Sequence, residues 1–154
     1  MSAGDLTKES PEAVPDISFP HELLDASEHI LFRMDLVRRG YDYISPVAAS
    51  IFGVSLEALH ERGLDLLLTE QVIPEDVARL RNHILDVCRN SPGQSIRTSL
   101  EYRLRNAKGD LLWHSNSMTL VSSADGKPLR ASGIAVDVTA RRRYEQALSE
   151  SEEK

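Results

Sequence analysis

Three consecutive segments in the second half of this chain alternate apolar and polar residues with period two, and tight turns join them. Ile96, Thr98, Leu100, Tyr102 and Leu104 share one side of the first segment, opposite Arg97, Ser99, Glu101, Arg103 and Arg105. Asn106-Ala107-Lys108-Gly109 supplies the turn into a strand over residues 111–122. Ala124-Asp125-Gly126-Lys127 turns the chain again into a strand over 129–138. Connections this short demand antiparallel pairing, because parallel neighbours need a crossover of about a dozen residues or more.

The preceding sequence adds two further strands and a set of helices. Residues 1–19 carry Pro11, Pro15 and several acids without apolar periodicity, which predicts a disordered acidic leader. A short helix is expected over 20–28, with Pro20 in its first turn. Residues 29–37 alternate as a strand, Arg38-Arg39-Gly40 turns, and 41–45 reads as the partner strand. Ser45 is then expected to cap a helix over 46–52 that Gly53 ends. Ser55 opens another short helix closed by Gly63, and 65–73 reads as a turn or short helix with a loop. The longest helix begins at Pro74-Glu75-Asp76, places Val77, Leu80, Ile84, Leu85, Val87 and Cys88 at helical spacing, and stops at Asn90-Ser91-Pro92-Gly93. Residues 139–154 return to helix. The order predicts an α+β fold: a five-stranded antiparallel sheet with helices on one face, an N-terminal helix and a C-terminal helix.

Composition narrows the function classes. The chain has 154 residues and a net charge of −6, with 41% hydrophobic and 27% charged residues, in keeping with a soluble domain. Residues 1–28 contain seven acids and one base, hence −6, while the rest contains 17 of each. A neutral body behind an acidic leader is a poor match for phosphate backbones, so no nucleic-acid partner is expected. The sequence has no apolar run of the ~18 residues a membrane span needs, and its start lacks a signal-peptide pattern. The single cysteine, Cys88, excludes an internal disulfide or a zinc knuckle. A cytoplasmic setting without membrane contact is expected.

Six short islands, in order, resemble the PAS sensor family over about residues 24–154. They are Tyr43-Ile44-Ser45-Pro46 leading to Ile51-Phe52-Gly53, then Ser55-Leu56-Glu57-Ala58-Leu59, then Ile73-Pro74-Glu75-Asp76. Glu101-Tyr102-Arg103-Leu104-Arg105 with Lys108-Gly109 and Trp113, Gly126-Lys127-Pro128 with Gly133, and Asp137-Val138-Thr139 complete the set. The resemblance implies a PAS sensor domain over 29–138 and a signalling or linker helix over 139–154. It further implies an output domain, a histidine kinase or a diguanylate cyclase, elsewhere in a longer polypeptide of which this chain is an N-terminal piece.

The resemblance also implies a cup-shaped interior that holds a ligand. Alternation places Tyr102, Leu104, His114, Asn116 and Met118 along it, and the resemblance implies Ala135 as a further lining position. His114 and Asn116 are polar positions on an otherwise apolar face, and an orphaned buried polar group costs ~1–3 kcal/mol. Their partners could come from a small-molecule ligand, or from each other, the backbone or buried water. No cofactor is named. The light-sensing branch of the family needs a cysteine motif that is missing, and Ala135 stands where that branch carries its flavin-contacting Gln, which argues against a flavin adduct. His83 lies on the long helix, broadly where haem-binding members place an iron ligand, but at the margin of the apolar stripe it reads as a boundary residue. No spacing of the histidines suits a metal centre, and no catalytic motif is present, so no enzymatic activity is expected of this segment.

The opposite sheet face carries Trp113, Val121, Ile134 and Val136, apolar surface that calls for a cover. The expected cover is a homodimer in which the N-terminal helix, with Leu23 and Leu24, packs on or near that face. Asp137 and Thr139 match the family's exit element, implied to couple sheet to helix, and Thr139 is expected to cap that helix. A sensor that signals through this exit is one reading. The alternative is a ligand-free module used only for dimerisation or protein interaction.

Overall fold

A computed structural model describes residues 18–153, so the expected leader lies, for all but its last two residues, outside the described part. Helix α1 (Ser18–Asp25) precedes β1 (Ile30–Asp35) and β2 (Gly40–Ile44). Helices α2 (Val47–Phe52) and α3 (Leu56–Leu66) follow, then a π-helical turn at Leu67–Gln71 and the long helix α4 (Pro74–Asn90). Strands β3 (Ser95–Arg105), β4 (Leu111–Ser122) and β5 (Pro128–Asp137) complete the sheet, and α5 (Thr139–Glu153) leaves it. All pairings are antiparallel, in the order β2-β1-β5-β4-β3. The fold is α+β, as alternation and turn spacing require.

The last-made strand lies at the centre, between β1 and β4. Helix α4 packs over β3, β4 and β5, while α3 covers β2. The core falls into clusters around Ile44, Ala48 and Leu59, around Leu80, Tyr102 and Leu104, and around Cys88, Met118 and Leu120, which half-buried Phe32, Phe52 and Ile84 join. Among the described residues, no helix is long and apolar enough to cross a membrane.

Several local expectations are corrected. Helix α1 ends at Asp25 rather than reaching residue 28. Ser45 does not cap α2. Its hydroxyl accepts from Leu31 N at 2.9 Å and donates to His29 O at 3.1 Å, so it clamps β1 to the end of β2. Ser55 does cap α3, accepting from Ala58 N at 3.1 Å. Gly63 breaks α3 with φ 50° and ψ −125°, yet helix resumes beyond it and runs into the π-turn. Asp76 lies in the first turn of α4, is 2% exposed and also reaches across to β3. It accepts from Arg103 N at 2.8 Å and from both ends of the Arg103 guanidinium, Nε at 3.0 Å and Nη2 at 2.7 Å.

Candidate functional site

Small residues on the central strand leave room above it. Ala131 and Ala135 are buried on β5 with Gly133 between them. Cross-strand rows flank these positions: Met34–Ala131–Leu120, Phe32–Gly133–Met118 and Ile30–Ala135–Asn116. Leu80 and Ile84 of α4 and Leu67 and Leu68 of the π-turn close the other side. Between them lies a cavity of about 310 Å³, at the lower end of the roughly 300–1,000 Å³ common for ligand pockets. Its lining residues that reach solvent include Arg39, Arg81 and Leu85, so it opens between the β1–β2 turn and α4.

The inner end is polar. Asn116 Nδ2 donates to Tyr102 Oη at 3.0 Å, but Asn116 Oδ1 has no partner. His114 Nε2 also has none, although the residue is 2% exposed and its ring lies beside Phe52. Both residues line the cavity. Tyr41 lines it too, buried and edge-on to Phe32, and burial pushes the phenols of Tyr41 and Tyr102 well up. His114 also borders a second cavity of about 230 Å³ that reaches Glu28, His29 and Asp137.

Burial lowers the His114 pKa, and the charge of Asp137 only partly opposes this. A depressed folded-state value means that the unfolded chain binds the proton more readily. Stability is therefore complete above the unfolded value near 6.5 and is lost as pH falls towards the folded value. Urea titrations from pH 7 down to 5 are expected to show this, with a slope of up to about 1.4 kcal/mol per pH unit. A His114→Phe variant should remove that dependence. An unchanged slope in the variant would assign it to another group.

The exit is tied to the same stretch of β4. Asp137 stands opposite His114 in the register, and its carboxylate accepts from Thr139 N at 2.9 Å. The Thr139 hydroxyl does not cap α5. It accepts from Trp113 N at 2.8 Å, and Trp113 O accepts from Val138 N at 2.8 Å. On the outer face, the Arg142 guanidinium lies 3.7 Å from the Trp113 ring centre and that of Arg103 lies 5.2 Å away. Glu101 accepts from Arg141 at 2.6 Å and from Arg142 at 2.9 Å, and these bonds hold its pKa down. Arg141 is also 4.0 Å from Glu145, one helical turn on, a looser pairing.

Trp113 is the sole tryptophan, so its emission reports how α5 is seated. Glu101→Gln is expected to change stability by under about 1 kcal/mol, because the pairs are partly exposed. The same change should shift Trp113 emission, as should high salt acting on wild type. An emission spectrum indifferent to both would show that Glu101 does not hold Arg142 in place.

Tyr102, Leu104, His114, Asn116, Met118 and Ala135 thus meet around one cavity. His83 does not join them: its Nε2 is 2.8 Å from Thr98 Oγ1, and it is not part of the lining. Cys88 is fully buried in the core beside Met118 and Leu120. Trp113, Val121, Ile134 and Val136 are half-buried on the outer face. Leu23 and Leu24 remain 60% and 37% exposed, so α1 does not bury them within this chain. Sequence reasoning missed Phe32, Met34 and Tyr41 in the lining and Arg39 and Arg81 at the mouth. The first strand's alternation could have supplied the first two, whereas the mouth needs tertiary structure. Among the described residues, no cluster of His, Cys, Asp and Glu is suited to a metal ion.

A two-component sensor, PprA of Pseudomonas aeruginosa, is 25% identical over 135 residues. The match covers 86% of this chain but only 14% of that protein. Among solved structures, a sensory box histidine kinase/response regulator from Burkholderia thailandensis superposes with a TM-score of 0.60 at 25% identity, covering 88% of this chain and 96% of that one. The N-terminal domain of a diguanylate cyclase with a PAS/PAC sensor from Marinobacter aquaeolei gives 0.59 at 17% identity, with 74% and 98% covered, a likeness of fold. A family model described as the PAS fold matches residues 41–135, from the start of β2 to the inner end of the cavity on β5, and this chain belongs to that family.

Proposed function

We propose that this chain is a sensory module that binds a small molecule in the cavity and transmits occupancy through α5 to an output domain. The observation that carries this reading is a pair of buried, unpartnered polar atoms, His114 Nε2 and Asn116 Oδ1, on a cavity lined mostly by apolar side chains. Such atoms are costly unless something binds them. The route out is short. His114 faces the cavity, its neighbour Trp113 faces outward, and the Trp113 backbone holds Thr139 at the first residue of α5. A ligand that draws on His114 therefore biases the seat of α5, through contacts that differ between the bound and empty states.

The output domain in this reading is a histidine kinase or a diguanylate cyclase, and the module has no catalysis of its own and works in the cytoplasm as a homodimer. The similarity to a much longer two-component sensor supports the first part. Exposed Leu23, Tyr144 and Leu148 on the terminal helices support the dimer. Light scattering at micromolar concentration is expected to give twice the chain mass, and a monomer would remove the dimer.

Native mass spectrometry of the purified protein, before and after denaturation, tests the binding reading. A retained mass that denaturation releases is the expected result. No retained mass, and no thermal shift with any member of a metabolite panel, would leave a dimerisation module without a ligand. For the exit, an Asp137→Ala variant of the full-length protein whose output still followed the ligand would overturn transmission through the Asp137–Thr139 junction.

A further inference from the structure

The cavity's polar groups are segregated, and their arrangement says what kind of molecule suits them. The inner end holds Asn116, Tyr102 and His114, whereas the charged residues of the lining, Arg39 and Arg81, are exposed at the mouth. Arg39 is already paired to Asp65, at 2.5 Å. No cationic or anionic side chain lines the inner end among the described residues, and the nearest charge in the register is Asp137, opposite His114. A carboxylate placed there would be stripped of water with no cation beside it and an acid nearby, an arrangement that costs several kcal/mol in general.

The hydrogen-bonding demand is specific. Whichever way the Asn116 amide is turned, one of its two polar atoms bonds the Tyr102 hydroxyl and the other is left over. His114 Nε2 accepts or donates according to the tautomer. As placed, Asn116 Oδ1 asks for a donor and His114 Nε2 takes either role, a demand that a neutral group able to donate and to accept meets in every tautomer.

We infer that the cavity takes an uncharged molecule with an apolar, ring-sized body, inserted head first so that a terminal hydroxyl or amide meets Asn116, His114 and Tyr102. A closed apolar cavity of about 150 Å³ accommodates a benzene ring, so 310 Å³ holds a substituted ring with such a head. The apolar body fills the space between Phe32, Met34, Leu80 and Ile84, and the rim arginines are left to solvent. This inference rests on the ligand-binding reading above, and it adds the polarity and orientation of the ligand.

Three matched probes test it: 4-ethylphenol, ethylbenzene and 4-ethylbenzoate. Titration of wild type, followed by thermal shift and calorimetry, is expected to show 4-ethylphenol binding about tenfold or more tightly than ethylbenzene. No detectable binding of 4-ethylbenzoate is expected at pH 7.5. Asn116→Leu and Tyr102→Phe should each keep ethylbenzene binding and reduce the preference for the phenol. Equal affinity of phenol and hydrocarbon in wild type overturns the inference while leaving a ligand cavity. So does tighter binding of the benzoate, or a phenol preference that survives in both variants. Failure of all three probes, with no mass retained in the native spectrum, overturns the inference and the binding reading together.

Discussion

Gly63→Ala is expected to cost the domain about 3–4 kcal/mol, among the largest effects available to a single substitution here. Gly63 has φ 50° and ψ −125°, a conformation that L side chains avoid. An added Cβ would also sit 2.3 Å from Arg39 O and 2.8 Å from Gly40 Cα, both backbone atoms that cannot swing aside. This contact is where α3 meets the β1–β2 turn, and Leu64 N donates to Arg39 O at 3.1 Å just beyond it. Arg39 itself has φ 67°, so both sides of the junction are conformationally unusual. The control is Gly109→Ala. Gly109 has φ 85° but nothing within 4 Å of an added Cβ, so only backbone strain of about 1–2 kcal/mol applies. Urea denaturation of both variants separates the two contributions. Equal losses would mean that the approach to Arg39 contributes nothing.

The sheet is legible in the sequence because its information is local. Alternation along residues 96–104 and 111–122, punctuated by Gly109 and Gly126, suffices to assign faces. The pattern groups Tyr102, Leu104, His114, Asn116 and Met118 on one face, the family resemblance adds Ala135, and the fold places all six in one lining. Residues whose role depends on distant partners are not legible in this way. Ser45 before Pro46 has the local signature of a helix cap, yet its hydroxyl serves β1, 14 residues away in sequence. Thr139 stands where a cap belongs, but β4 claims its hydroxyl. A hydroxyl near a helix start satisfies either role equally well, and only the neighbouring strand decides. The cavity mouth is the extreme case. Arg39 lies on a turn that Gly63 of α3 approaches closely and Arg81 on α4, and no periodicity records how turn and helix come to face one cavity.

Asp76→Asn is expected to destabilise by about 2–3 kcal/mol, less than the full cost of breaking a buried ion pair because Arg103 is partly exposed. Asp76 is 2% exposed and satisfies the Arg103 backbone N–H and guanidinium at once, with Arg79 at 3.3 Å. The amide would keep the shape, lose the charge and turn an N–H towards the guanidinium. Hydrogen bonding to Arg103, more than the opposing burial, holds the carboxyl below its usual range. With the folded value depressed, its contribution is complete above the unfolded value near 3.9 and is lost as pH falls through the folded one. Wild type should therefore converge on Asp76→Asn in stability below about pH 4. The substitution has a second readout, because Arg103 also lies against Trp113, on which Arg142 of α5 stands. Freeing Arg103 should shift the emission of that single tryptophan even where the protein stays fully folded. If it does, the start of α4 and the seat of α5 are linked through one arginine and one indole ring. A destabilised variant with wild-type emission would confine Asp76 to holding α4 against β3.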